Sequence, residues 1–149
     1  DKVSIGAGFN EVDGLLQDIA KTFGSQAVSF SLDVRNGTFW IRGGAHDTRL
    51  NAVMAARSAE DLGAGEILLT SIDREGTLIG YDLDLIEAVS NAVSIPVIAN
   101  GGCGSYEHMK QAIDAGANAV AAGAFFQFTE ATPKGAAEYL AKRNVEVRL

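Results

Sequence analysis

Apolar positions along the chain fall into two alternating patterns. Short runs at Val3–Ile5, Ala27–Val34, Ile67–Ile72, Pro96–Ala99 and Ala119–Phe126 are apolar nearly throughout, as are parallel strands covered by helices. Between them the spacing turns helical. Val12, Leu15, Leu16, Ile19, Ala20 and Phe23 recur at i, i+3, i+4 and i+7, so one face of a helix points inward. Asn10 can cap that helix and Gly24 can end it. Leu50, Val53, Met54 and Leu62 mark a second helix after Asp47-Thr48, and Leu85, Ile86, Val89 and Val93 mark a third. Met109, Ala112 and Ile113 mark a fourth between the N-cap Ser105 and Gly116. A fifth begins at Thr132-Pro133, with proline in the first helical position, and turns Ala136 and Leu140 inward.

The resulting order, strand then helix five times over, predicts parallel βα units of the α/β class. One segment interrupts it. Residues 35–46, "RNGTFWIRGGAH", hold Asn36-Gly37 and a strand-like Thr38–Ile41 run, which predicts a hairpin inserted into a βα loop. No linker or low-complexity tract divides residues 1–149, so a single unit is expected. Five βα units suit either a doubly wound sheet or part of a (βα)₈ barrel, and periodicity alone does not separate the two.

Composition narrows the function classes. The 149 residues are 47% hydrophobic and 21% charged, with net charge −7, an ordinary globular balance. That charge argues against nucleic-acid and anionic-membrane partners. No apolar run approaches the roughly 20 residues a spanning helix needs. The single Cys103 excludes an intramolecular disulfide and fits a reducing, cytoplasmic setting. The chain opens on Asp1-Lys2-Val3-Ser4-Ile5, in mid-strand, so an upstream segment is expected.

In both candidate architectures ligands bind at the carboxyl ends of the strands, and the polar residues gather there. Asp33 follows "VSFSL"; Thr70, Ser71 and Asp73 close "EILLT"; Gly76 and Thr77 follow; Asn100-Gly101-Gly102 ends "PVIA"; Gly123 and Ala124 hold the matching region of the last run. Glycines leave backbone N–H groups accessible, and with a helix start at Ser105 they make a cradle for a phosphate. Tight turns are the bland alternative for each glycine. Asp33 can serve as a general acid or base, or merely cap a turn. Thr70, Ser71 and Asp73 can meet ligand hydroxyls or satisfy loop backbone. Lys2 and Glu66 stand at strand starts, the opposite end, and read from position alone as a stabilising ion pair. His46 and His108 lack metal-like spacing, His108 among polar, solvated helix positions. Cys103 has no paired histidine and reads as a spectator. Trp40 is expected to pack against the rim. No metal or cofactor is expected.

The segments "DKVSI", "IAKTFGSQAV", "AGEILLTSIDREGT", "GYDLDLI", "IPVIANGG" and "YLAKRNVEVRL" carry a resemblance to the cyclase subunits of imidazole glycerol phosphate synthase, (βα)₈ barrels of histidine biosynthesis. The resemblance covers essentially the whole chain and implies its fourth to eighth βα units. It implies that Asp33 is one of two catalytic aspartates, the other standing on the absent first strand. The pair acts as acid and base while ammonia adds to a ribulosyl-formimino aminoimidazole carboxamide ribonucleotide. The products are imidazole glycerol phosphate and an aminoimidazole carboxamide ribonucleotide. It implies a phosphate cradle at Gly76, Gly102 and Gly123. It also implies a glutaminase subunit docked at the other end, near Asp1, with Lys2 and Glu66 in a charged ammonia gate. Glu75 stands where the family usually has Asp, Gly6-Ala7 where it has Asn-Thr, Gly123 where it has Ser, and Arg49 in an altered segment after the hairpin. Two further readings accompany this one. In the first, the chain is a relative channelling ammonia to an amidotransferase in acetamidino-sugar biosynthesis. In the second, it is a non-catalytic half-barrel that binds phosphate.

Overall fold

The computed structural model describes residues 1–6 and 14–147, so the cap expected at Asn10, the helical position Val12 and the Ala7 departure lie outside the described residues. In chain order the elements are β1 (Val3–Ile5), α1 (Leu15–Phe23), a 3₁₀ turn (Ser25–Ala27), β2 (Val28–Arg35), β3 (Thr38–Ile41) and β4 (His46–Asn51). There follow α2 (Ala52–Asp61), β5 (Glu66–Ser71), α3 (Leu83–Ser90), β6 (Val97–Asn100), α4 (Tyr106–Asp114), β7 (Ala119–Val120), α5 (Ala124–Phe128) and α6 (Pro133–Ala141).

Strands β1, β2, β5, β6 and β7 pair in parallel, each with the next in the chain. A doubly wound sheet reverses its strand order at a switch point. No reversal occurs here, so the units wind in one direction, as in a barrel wall. The strands have two distinct faces. On one, Val28, Phe30, Leu32 and Val34 of β2, Ile67 and Leu69 of β5, and Val97 and Ala99 of β6 are buried. They share a core with Ala55, Ala56 and Ala59 of α2, Ile86 and Val89 of α3, and Met109 and Ala112 of α4. The alanines let α2 lie close to the sheet. The other face is largely polar: the register sets Ser29 beside Glu66, and Asp33 beside Thr70 beside Asn100. Strand β2 thus alternates strictly, more than its apolar composition suggests.

Helix starts follow local chemistry. Side-chain oxygens of Asn51, Asp82, Ser105 and Thr132 accept the N–H of Val53, Leu85, His108 and Gly135, satisfying donors that a helix start leaves unpaired. Gly24 ends α1 as expected, at φ +87°.

Four expectations are corrected. The second helix does not begin after Asp47-Thr48. Residues 46–51 form a third antiparallel strand, held by Thr48 Oγ1 donating to the Phe39 carbonyl at 2.7 Å, so the insertion extends past residue 46 to Asn51. Leu50 lies in that strand, and Met54 is exposed on α2. Phe23, at the end of α1, is exposed too. The run Ala119–Phe126 is no single strand. It breaks at Gly123, whose carbonyl accepts the N–H of Phe126 and Gln127 at 3.1 and 3.0 Å, starting the short α5. Asn36 and Gly37 turn the β2–β3 hairpin at φ +50° and +77°, the left-handed pair that a tight two-residue hairpin turn requires.

Candidate functional site

The carboxyl ends of β2, β5 and β6 bring Asp33, Thr70 and Asn100 into one cross-strand row. Asn100 Nδ2 donates to Thr70 Oγ1 at 3.2 Å. Ser31 Oγ donates to Asp33 Oδ1 at 3.4 Å. Burial raises the Asp33 carboxyl above the ordinary aspartate range, and hydrogen bonds from Ser31 and Thr70 oppose that rise without cancelling it. A raised carboxyl is a better proton carrier near neutral pH than a solvated one.

Next to the row lies a cleft with about 390 Å³ of free space, bounded by three βα loops. Gly76 comes from the β5–α3 loop, Gly101 and Gly102 from the β6–α4 loop, and Gly123 and Ala124 from the start of α5. Glu75, Asn100, Cys103 and Ala122 complete it. The glycines have distinct reasons. A Cβ on Gly102 would overlap the Gly80 carbonyl, whereas Gly76 and Gly123 face open space. Among the described residues, no Lys or Arg side chain lines this cleft. An anion there would be held by backbone N–H groups and by the positive end of α5.

Other expected site residues serve the loops. Ser71 is buried and its Oγ donates to Asp82 Oδ2 at 3.5 Å. Asp73 accepts the Asn36 N–H at 3.1 Å and pairs with Arg35 at 3.5 Å, so it ties the hairpin to the β5–α3 loop. Thr77 Oγ1 donates to the Arg74 carbonyl at 2.6 Å. Neither Ser71, Asp73 nor Thr77 lines the cleft. Trp40 packs at the rim under the Arg35 guanidinium, 4.8 Å from its ring centre, and donates to Thr38 Oγ1 at 3.0 Å. Cys103 is buried, and burial pushes its thiol up, away from the thiolate a nucleophile needs. His108 is only partly exposed rather than solvated, and its Nδ1 accepts the Gly104 N–H at 3.1 Å.

At the opposite end, Lys2 Nζ pairs with Glu66 Oε2. Asp1 and Lys2 border a second, mostly apolar recess of about 550 Å³ with Val3, Ile19, Phe23 and Ala27. Among the described residues, no three His, Cys, Asp or Glu side chains are grouped to hold a metal ion, and no helix is long and apolar enough to cross a membrane.

Sequence reasoning missed Glu75 and Cys103 as lining residues, and Gly80, Tyr81 and Asp82 as ties between loops. The last three stand in the distinctive "GYD" triplet, the one signal that singled them out.

These features define a class: a wall of singly wound parallel βα units, with a carboxylate raised by burial and a glycine-lined cleft at the carboxyl end of its strands. Within that class, the chain belongs to the histidine biosynthesis protein family, whose sequence model matches residues 1–132. It is 45% identical over its full length to the imidazole glycerol phosphate synthase subunit HisF of Pyrobaculum aerophilum, covering 60% of that protein. It is 48% identical over 89% of its length to the HisF subunit of Thermobifida fusca, covering 56%. It is 42% identical over its full length to the HisF subunit of Saccharolobus solfataricus, covering 61%. The chain therefore spans about 60% of the length of these curated relatives. All three carry the same name, and neither the acetamidino-sugar reading nor the non-catalytic reading finds support among them.

Proposed function

We propose that this chain supplies the fourth to eighth βα units of the cyclase subunit of an imidazole glycerol phosphate synthase. In this reading ammonia adds to the ribulosyl-formimino aminoimidazole carboxamide ribonucleotide at the carboxyl end of the sheet. The products are imidazole glycerol phosphate and the aminoimidazole carboxamide ribonucleotide, a lyase-type cleavage with ring closure. The observation that carries the reading is the row of Asp33, Thr70 and Asn100 beside the glycine cleft.

Asp33 moves protons. Its carboxyl is raised by burial, so it can take a proton from the attacking nitrogen and return one to the leaving group. Thr70 and Asn100, bonded to one another, fix the polar floor next to it. Gly76, Gly102 and Gly123 hold a substrate phosphate through backbone N–H groups. That places the reacting carbons between cleft and carboxylate. The resemblance assigns the second carboxylate to the first barrel strand.

At the other end, Asp1, Lys2 and Glu66 face a glutaminase subunit of the HisH type in a heterodimer. The Lys2–Glu66 pair closes or opens the entrance to ammonia. The setting is cytoplasmic, with no nucleic-acid or membrane partner and no cofactor.

The test is turnover of the complete protein with the ribonucleotide and ammonium. The expected result is ammonia-dependent product formation that Asp33→Asn abolishes. Near-normal turnover in the variant would remove Asp33 from the reaction. No turnover by the unsubstituted protein would overturn the assignment of substrate.

A further inference from the structure

The three residues Gly80-Tyr81-Asp82 each reach a different βα unit. The Gly80 N–H donates to the Gly102 carbonyl at 2.7 Å. Tyr81 is buried at 3% exposure, and its hydroxyl donates to the Ala121 carbonyl at 2.8 Å. Asp82 accepts the Leu85 N–H at the start of α3 and the Ser71 hydroxyl at the end of β5. The triplet therefore joins all three loops that carry the glycine cleft. Of the three ties, the Tyr81 bond spans the greatest chain separation, 40 residues. It ends two residues before Gly123, in a segment whose strand β7 holds only two residues. Toward β6 the segment is held at Asn118, whose N–H donates to the Val97 carbonyl, and at Ala121, whose N–H donates to the Ala99 carbonyl, each at 2.8 Å; the Tyr81 hydroxyl adds a tie from the β5–α3 loop. A Tyr hydroxyl directed at a carbonyl is a fixed-length strut, and the buried ring restricts where its tip lies. Burial also pushes the phenol far above its ordinary value, so it remains a donor at any physiological pH.

We infer that Tyr81 is a positioning residue for anion binding: its hydroxyl, through the Ala121 carbonyl, sets where the Gly123 N–H stands relative to Gly76 and Gly102. This rests on the phosphate reading of the cleft, and the experiment separates the two. Inorganic phosphate is titrated into the full chain while the Gly76, Gly102 and Gly123 amide resonances are followed by NMR. The unsubstituted chain should show all three amides shifting along one binding curve. In Tyr81→Phe, which keeps the ring and removes only the oxygen, phosphate affinity should fall about five- to tenfold, the order expected when one hydrogen bond is lost. The Gly123 shift should shrink relative to that of Gly102. Ile86→Val, a core change within α3 that lines no part of the cleft, is the control for lost stability and should leave affinity unchanged.

Tyr81→Phe binding phosphate like the unsubstituted chain overturns the inference and leaves the phosphate reading standing. An equal loss in Ile86→Val reduces Tyr81 to an ordinary core residue and overturns it as well. Absence of phosphate binding by the unsubstituted chain overturns both. Should Tyr81→Phe fail to fold, the unsubstituted chain still decides. Phosphate must then shift the Ala121 carbonyl carbon resonance together with the Gly123 amide, and a Gly123 shift without it overturns the inference.

Discussion

Three cleft glycines look alike in sequence but are held by different physics, so alanine at each should give graded losses. Gly102 has φ +96°, a region that costs an L-residue about 1–2 kcal/mol. Its new Cβ would overlap the Gly80 carbonyl, and overpacking of this kind costs about 1–3 kcal/mol. Moving that carbonyl away would also weaken the Gly80 N–H bond to Gly102 at 2.7 Å, for another ~0.5–1.5 kcal/mol. The sum is about 2.5–6.5 kcal/mol, or roughly 5–26 °C in Tm for a domain of this size. Gly76 has φ +74° but open space around it, so only the backbone contribution remains, about 1–2 kcal/mol. Gly123 has φ −99° and open space, so alanine should change stability by no more than about 0.5 kcal/mol. Thermal unfolding followed by circular dichroism measures all three. Gly102→Ala within about 1 kcal/mol of the parent, or Gly123→Ala as damaging as Gly102→Ala, would refute the close-approach argument.

The remaining predictions concern charge and the hairpin. The Asp33 carboxyl is raised in the folded chain, so folded protein holds that proton to higher pH than unfolded protein does. Stability then falls as pH rises through this window, and ionised Asp33 is a net cost at neutral pH. Asp33→Asn should therefore raise Tm at pH 7 while abolishing turnover, and the gain should vanish once pH drops below the unfolded carboxyl range. A variant less stable than its parent at pH 7 would contradict the burial argument. Lys2 is half exposed in its pair with Glu66, so Glu66→Gln should cost under about 1 kcal/mol in urea unfolding. In the assembled enzyme it should impair glutamine-driven turnover more than ammonium-driven turnover, and equal loss on both would reduce the pair to a structural role. Asp73→Ala removes the ties to Asn36 and Arg35, so limited proteolysis within residues 36–51 should accelerate several-fold. An unchanged cleavage rate would show that Trp40 and the β3–β4 pairing hold the hairpin without it.

Much of this arrangement was legible in the sequence, for local reasons. Ser105, Thr132 and Gly24 act where their chemistry acts in isolation, at helix ends. Asn36-Gly37 makes its turn because few other pairs tolerate that backbone. The positions of β1, β2, β5 and β6 followed from apolar runs, and with them the gathering of Asp33, Thr70 and the glycines at one end. What stayed hidden was non-local. "HDTRLN" holds a helix-compatible spacing through Leu50, and only the Thr48 bond to Phe39 and pairing with β3 decide for a strand. Met54 fits the helical period yet points outward, because α2 approaches the sheet on its alanines. Asp73 reads as a ligand contact from its strand-end position, but its partner, the Asn36 N–H, lies 37 residues away. The choice between two α/β architectures required the pairing order itself.

Strand β2 offers a single edge to two neighbours. Strand β1 takes its first half, up to Phe30 beside Ile5. Strand β3 takes the second half, from Asp33 beside Trp40. The edge is therefore forked, parallel below and antiparallel above, and the antiparallel arm begins level with Asp33. At Asp33 the described neighbour on this edge is the hairpin strand β3. Lengthening or shortening β3 and β4 would reshape the edge beside Asp33 and leave the Lys2–Glu66 end untouched. The mouth and the base of this wall are thus mechanically separate, free to vary independently.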